Sequence, residues 1–311
     1  MKVVIPLAGH GTRLKPHTLH TPKPLLKVAN REVISWILDQ VKCLDVEELI
    51  FIVGYLEDEI KEFMSKEYPD YKITYVTQEE RLGTGHLLYI AKEHLNTDFL
   101  LIYADTIYQT DLCFLKNVLD DGAIFVKKVE DTTGMGQILV DENDYVKDMI
   151  EKSPSTISNL VAIGMYYFKN WQLALECVEK VIDKKIMHNG EYYVNDIIKF
   201  MMEDDAKFKA YAVDIWLDCG VPQTMLSTNK YFLEHGNANN KEFSGVEIVP
   251  PVLIADGVII ENSTIGPNVS IDKGVIIKNS QIKNAIVYEN AKIEDSKIEN
   301  ELIEKGSEVK G

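Results

Sequence analysis

Large aliphatic residues recur along the C-terminal quarter of the chain at a step that no ordinary helix or hairpin sheet produces. Leu253, Ile259, Ile265, Ile271 and Ile277 are spaced by six, and Ile282, Val287, Ile293, Ile298, Ile303 and Val309 follow at five or six. An amphipathic helix repeats its apolar face every three to four residues, and a half-buried antiparallel strand every two. A six-residue period instead predicts a parallel β-helix, in which each repeat supplies one short face and one inward aliphatic. At three faces per turn these positions predict roughly four coils. Hexapeptide stacks are left-handed, and that hand is the expectation here. The polar segment 236–245 (GNANNKEFSG) reads as a linker. The expected division is therefore 1–235, a linker over 236–245, and the repeat region 246–311.

Before the linker the pattern is different. The runs Val3–Leu7, Leu49–Val53, Ile73–Val76 and Phe99–Tyr103 are short and apolar, with helical periodicity between them at Ile34–Cys43, Asp58–Lys66 and Thr84–Leu95. Strand–helix alternation predicts right-handed crossovers and an α/β fold with a mixed, mainly parallel sheet. Consecutive strands are expected at Gln137–Val140, Val146–Glu151 and Val161–Phe168. Helices follow at Trp171–Asp183 and Val194–Glu203, then one strand over Lys207–Leu217 and a helix reaching Glu234. Ligands of such sheets bind at loops leaving the carboxyl ends of the strands, so the chemistry is sought there.

Charge and cysteine content narrow the choice of function. The net charge of −16 disfavours a nucleic-acid partner, which would need a basic surface. An acidic chain that handles phosphates must concentrate a few cations in one pocket. Cys43, Cys113, Cys177 and Cys219 form no CxxC pair, which argues against a structural zinc site or a disulfide framework. The N-terminal run Val3–Ala8 is interrupted by Pro6 and is too short for a signal segment or a membrane span. A cytoplasmic protein without a membrane partner is expected.

The first strand runs into Ala8-Gly9-His10-Gly11-Thr12-Arg13-Leu14, and Pro22-Lys23-Pro24-Leu25-Leu26 follows. Two glycines one residue apart let backbone amides approach phosphate oxygens. The third glycine of the dinucleotide fingerprint is missing, and so is the Lys-Ser/Thr of a P-loop. Prolines stiffen the loop, so Arg13 and Lys23 are expected on a rigid turn suited to a triphosphate. The alternative is a solvated basic loop. His10, His17 and His20 crowd the same loop without a Cys or acid beside them and read as ordinary loop histidines. Gln78 with the Gly83-Thr84-Gly85 turn suits the edge and face of a pyrimidine, although Thr84 alone would read as a helix N-cap. Asp105, just past the run Phe99–Tyr103, is placed for a metal.

The stretch AGHGTRLKPHTLHTPKPLLKV resembles the signature loop of the sugar-1-phosphate nucleotidylyltransferases, and later segments match in order over essentially the whole chain. The resemblance implies a Rossmann-like catalytic domain and transfer of a nucleoside monophosphate from an NTP to a sugar 1-phosphate, with Mg²⁺ and release of pyrophosphate. Leu7, Ala8, Gly9, Gly11 and Thr12 would line the nucleotide, together with Gln78, Gly83 and Thr84. Arg13 would hold the leaving phosphates and Lys23 the α-phosphate. Trp216-Leu217-Asp218-Cys219-Gly220 is similar to the segment that carries the second acid, so Asp105 and Asp218 would hold the metal, hard oxygen ligands suited to Mg²⁺. Gly136, Glu151, Lys152, Gly164 and Asp196 match the sugar-phosphate segments, with Lys152 expected on the phosphate and Glu151 on sugar hydroxyls.

The sequence departs from the family pattern at Ala104, where Gly is usual, and at Met135, Ser153 and Ala162; the last three leave the sugar open. The nucleotide is expected to be UTP or dTTP and the sugar glucose 1-phosphate. GTP with mannose 1-phosphate, or N-acetylglucosamine 1-phosphate, are the alternatives within the class. A nicotinamide oxidoreductase would need an acid where Gly54 and Tyr55 stand. A non-catalytic homologue would be expected to lose Arg13, Lys23 or the two aspartates. An acetyltransferase tail would be expected to carry a histidine, and none follows His235. The tail is expected to support a homo-oligomer through its open strand edges.

Overall fold

The computed structural model describes residues 1–239 and 241–311. The expected linker contains Asn240, which lies outside the described residues. Its neighbours are bonded to the repeat region: Asn239 N–H donates to Val252 O at 2.8 Å, and the Asn239 side chain both donates to and accepts from the Ile254 backbone. The chain forms two compact units that do not follow chain order. One comprises Met1–Gly9, Leu38–Ala104 and Tyr108–Trp216, the other His10–Ile37, Asp105–Ile107 and Leu217–Gly311.

The first unit contains a nine-stranded mixed sheet. Its main path runs Val146–Ile150, Gln137–Val140, Leu160–Phe168, Phe99–Ile102, Lys2–Pro6, Glu48–Val53 and Ile73–Thr77. Lys2–Pro6 pairs in parallel with both Glu48–Val53 and Phe99–Ile102, and Glu48–Val53 with Ile73–Thr77. The central strands carry apolar residues in succession because both faces are covered: Val3, Val4, Ile5, Leu49, Ile50, Phe51, Ile52 and Phe99 are all fully buried. The chain then turns antiparallel at Leu160–Phe168, which lies against Phe99–Ile102 on one side and Gly122–Lys128 on the other. The ladder slips between Ala162 and Tyr166. Gly164 sits in that bulge at φ +77°, and a Cβ there would come 2.4 Å from Tyr103 Cδ2. A glycine is required by both the backbone conformation and the aromatic packed against it.

The expected strand Lys207–Leu217 is two strands, Phe208–Ala212 and Ile215–Asp218. The first joins the large sheet beside Gly122–Lys128. The second pairs with Thr106–Gln109, a strand that its mixed polar sequence does not announce. The C-terminal helix ends at Phe232 and relaxes into a π turn over Leu233–Asn237.

The second unit holds the repeat region as stacked parallel strands. Ile248 pairs with Ile265, Ile265 with Ile282, and Ile282 with Ile298. Ile254, Ile271, Val287 and Ile303 form a second column, and Ile260, Ile277, Ile293 and Val309 a third. In the first two repeats the inward residues are Ile254 and Ile260, not Leu253 and Ile259: Ile259 is 48% exposed whereas Ile260 is 6% exposed. Neighbouring strand residues face opposite ways, so a slip of one residue reverses the face. Where Ile259-Ile260 offers two equal aliphatics, spacing alone does not choose between them. Corners of the stack carry left-handed Asn or Asp, tied in ladders such as Asn262 to Asn279 and Asn279 to Asp295, both at 2.9 Å.

Within this unit the repeat strands meet the end of the signature loop. Lys27, in the hairpin of Lys27–Val28 and Arg31–Glu32, donates to Asp272 at 2.6 Å and to Glu289 at 2.7 Å. Asn30 donates to Ile271 O and Tyr288 OH to Lys27 O. Burial works against the Lys27 charge, but the hydrogen bonds it donates to Asp272 and Glu289 outweigh it and push its pKa up to about 12. Burial would likewise raise Glu289, yet Lys27 and Lys305 hold it down at about 2.

A carboxylate depressed in the folded state stabilises the fold above its unfolded pKa, and that contribution is lost as pH falls through the folded value. Stability should therefore decline between about pH 4.5 and 2 from this group, and Glu289→Gln should flatten that decline. A thermal-melt series against pH reads it. Equal slopes in the two proteins would contradict the assignment.

Candidate active site

The loop after the first strand is built from three tight turns, Thr12–Leu14, His17–Leu19 and Lys23–Leu25. Thr18 is buried and donates its hydroxyl to Gly11 O at 2.9 Å, while Leu14 is fully buried. The loop is therefore folded on itself, as its prolines suggest. Thr12 and Arg13 are exposed at its surface.

Four of the residues expected in catalysis are brought together. Lys23 Nζ lies 3.1 Å from Asp105 Oδ2, with the lysine side chain 14% exposed and the aspartate 40%. Thr106 Oγ1 approaches the other Asp105 oxygen at 3.3 Å. Arg13 and Asp218 flank Gly220: the point a Cβ would occupy there is 2.9 Å from Asp218 Oδ1 and 3.2 Å from an Arg13 guanidinium nitrogen. The two acidic loops are tied by the backbone, since Cys219 N–H donates to Asp105 O at 2.8 Å. Asp218 is braced by Gly220 N–H on Oδ1 and by the Thr228 hydroxyl on its carbonyl, both at 2.9 Å. Beneath them burial pushes the Cys219 thiol up to about 12, and both Asp105 and Asp218 reinforce that shift. Two carboxylates fit a hard divalent cation such as Mg²⁺.

In the other unit, Leu7 and Ala8 are buried at the end of the first strand and Gly9 is exposed beyond them. Gly54 packs close to Ala8 and to the Gln78 backbone, and Arg81 donates to Ala8 O at 3.3 Å. Gly54 and Arg81 were not among the expected residues; a glycine ending the second strand was the available signal. Thr84 is not an N-cap. It is the first residue of helix Thr84–Ala91, and its hydroxyl accepts from Val194 N–H at 3.2 Å. Gly83, at φ +90°, abuts Tyr192, whose carbonyl would be 2.5 Å from a Cβ. The glycines of this turn thus answer to the Tyr192–Tyr193 backbone, a packing demand not visible in the local sequence.

The expected sugar-phosphate residues also gather, with additions. Glu151, Lys152 and Asp196 line a cavity of about 290 Å³ together with His188, Tyr193 and Asn195. Gly136 borders Glu151, whose carboxylate would be 3.0 Å from a Cβ there. Asn195 donates to Glu151 at 2.7 Å, Lys152 donates to the Tyr193 hydroxyl at 2.6 Å, and His188 meets Asp196 at 3.1 Å. Burial raises the Glu151 pKa. Gly164 does not belong to this lining; it seats Tyr103. Tyr193 and Asn195 escaped the sequence reading because both look like ordinary residues at a helix start. Among the described residues the one trio able to share a metal is Cys43, Asp111 and Cys113, so the wide sequence spacing of the cysteines is misleading for that pair.

A glycine loop folded on itself, carrying two cations beside two acids whose loops are tied by the backbone, suits phosphate chemistry. A model of the nucleotidyl transferase family matches residues 2–235. Bifunctional protein GlmU of Methanocaldococcus jannaschii is 33% identical over 267 residues, covering 85% of this chain and 61% of that protein. GlmU of Methanococcus vannielii is 30% identical over 284 residues, covering 88% and 62%. The chain thus spans about three fifths of the length of these two relatives. UTP–glucose-1-phosphate uridylyltransferase AglF of Haloferax volcanii is 29% identical over 230 residues, 72% of this chain and 93% of that one. A crystal structure of UDP-glucose pyrophosphorylase complexed with UDP-glucose shares the fold, with a TM-score of 0.64 at 20% identity over 75% of this chain and 98% of its own. The chain belongs to the nucleotidyl transferase family. No helix among the described residues is long and apolar enough to cross a membrane.

Proposed function

We propose that the chain makes a nucleoside diphosphate sugar from a pyrimidine NTP, UTP or dTTP, and glucose 1-phosphate, with release of pyrophosphate. The observation that carries this reading is the pairing of Lys23 with Asp105, with Arg13 and Asp218 both beside Gly220, on loops joined by the Cys219–Asp105 backbone bond. An oxygen of the sugar 1-phosphate attacks the α-phosphorus, the bond to the β-phosphate oxygen breaks, and pyrophosphate departs. A phosphate dianion needs no general base. The barrier lies in bringing anions together, which positioned cations reduce.

Asp105 and Asp218 would hold Mg²⁺, which neutralises phosphate charge during transfer. Lys23 neutralises the α-phosphate by exchanging its bond to Asp105 for one to a phosphate oxygen. Arg13 presents a planar fork to the leaving phosphates. Leu7, Ala8, Gly9, Gly11 and Thr12 line the nucleotide, with Gln78, Gly83 and Thr84 at the base. Lys152, steadied by Tyr193, binds the sugar phosphate, and Glu151, held by Asn195, accepts from sugar hydroxyls. Residues 1–235 carry this reaction. Residues 246–311 form a left-handed parallel β-helix, supported by the three columns of four stacked aliphatics, and take part in a homo-oligomer.

The name of the Haloferax relative supports UTP and glucose 1-phosphate. The test is pyrophosphate release with five NTPs against a panel of sugar 1-phosphates. UTP or dTTP with glucose 1-phosphate should give the highest kcat/KM; preference for GTP with mannose 1-phosphate, or for N-acetylglucosamine 1-phosphate, would replace the substrate assignment. Glu151→Gln should raise KM for the sugar phosphate by about tenfold, the cost of weakening one hydrogen bond to a charged group, and leave KM for the NTP unchanged. An equal rise in both would remove Glu151 from sugar binding.

A further inference from the structure

Cys43 and Cys113 are far apart in the chain and share no sequence motif, yet the fold places them side by side. Cys43 lies in the turn after helix Val33–Val41, and Cys113 opens the turn Cys113–Asn117. With Asp111 they offer two sulfurs and a carboxylate oxygen that all lie within 4.8 Å of one another. Cys113 N–H donates to Asp111 Oδ1 at 2.8 Å, which holds the carboxylate beside the thiol of its near neighbour. Both cysteines are partly exposed, so the group is open to solvent, whereas Cys177 and Cys219 are buried.

We propose that Cys43, Asp111 and Cys113 form a binding site for a thiophilic divalent cation of the zinc type, using none of the residues assigned to nucleotidyl transfer. A tetrahedral zinc ion with bonds of about 2.3 Å to sulfur holds two thiolates about 3.8 Å apart, within the separation the fold provides. Two thiolates and one carboxylate supply three ligands, and water completes the fourth position. The two thiol protons pass to solvent as the metal binds. Sulfur donors select zinc, cadmium or copper(I), whereas the carboxylates Asp105 and Asp218 suit magnesium. The bound ion would fasten the end of helix Val33–Val41 to the turn at Cys113, a closure of two loops distant in sequence.

The test uses the full-length protein, reduced and stripped of metal, titrated with cobalt(II). One equivalent should produce a thiolate-to-cobalt charge-transfer absorption that zinc abolishes by displacement. The double variant Cys43→Ser/Cys113→Ser should lack the absorption while melting at the temperature of the metal-free wild type. Asp111→Asn, which keeps both sulfurs, should retain the absorption and weaken zinc binding by at least about tenfold. Absence of the sulfur band in the reduced wild type, or its persistence in the double variant, would overturn the proposal. So would a pair that oxidises in air to a Cys43–Cys113 disulfide yet binds no cobalt when reduced.

Discussion

Asp105→Asn should lower pyrophosphate release at saturating substrates by about a thousandfold, the scale on which one preorganised electrostatic contact to a transferring group acts. The substitution keeps the shape of the side chain and leaves the backbone bond from Cys219 to Asp105 O intact. It removes the charge that faces Lys23 at 3.1 Å and that would hold Mg²⁺. The melting temperature should stay close to that of the wild type, because the carboxylate is 40% exposed and exposed pairs contribute little to stability. Lys23→Ala should give a loss of the same order. A variant at Asp105 that keeps more than about a tenth of wild-type turnover, against the loss expected for such a group, would remove that residue from the mechanism.

The second large effect falls on stability. Lys27→Ala would leave Asp272, 7% exposed, without its ion-pair partner, while Glu289, 15% exposed, keeps Lys273 and Lys305. Breaking a buried charge cluster by removing one partner costs about 3–5 kcal/mol. For a chain of this size that corresponds to a fall in melting temperature of roughly 10 °C. Removing all three charges together, in Lys27→Met/Asp272→Asn/Glu289→Gln, should recover much of the loss, since the penalty arises from uncompensated charge rather than from missing attraction. A single variant that melts with the wild type would show that the cluster is relaxed by water. The cluster also bears on the tail. The repeat strands hold the hairpin that ends the signature loop through Asp272, Glu289, Ile271 and Tyr288, so truncation of residues 246–311 would disturb that loop as well as any assembly.

Much of the architecture was legible because it is written in periodicities. Wholly apolar runs bounded by turns mark strands covered on both faces, and Lys2–Pro6, Glu48–Val53 and Phe99–Ile102 lie within a residue or two of their expected places. The five-to-six-residue step marks the stacked parallel strands for the same reason: each repeat must bury one aliphatic. Patterns of this kind failed where two residues qualified equally, as at Leu253-Ile254 and Ile259-Ile260, and where a strand carried no alternation, as at Thr106–Gln109.

The sequence likewise singles out the glycine loop, its two cations and the acids at Asp105 and Asp218 as candidates, because phosphate and metal chemistry demand particular residue types at stiff turns and strand ends. The sequence by itself determined the class of fold and the inventory of groups able to meet a nucleotide. Only the tertiary structure decided which of them touch. It set Lys23 on Asp105, Tyr193 on Lys152 and Asn195 on Glu151, made Gly83 and Gly164 answer to Tyr192 and Tyr103, and paired Cys43 with Cys113. The physical reason is range: strand and turn preferences act over a few residues, whereas these contacts join elements brought together only when the sheet and its loops have closed.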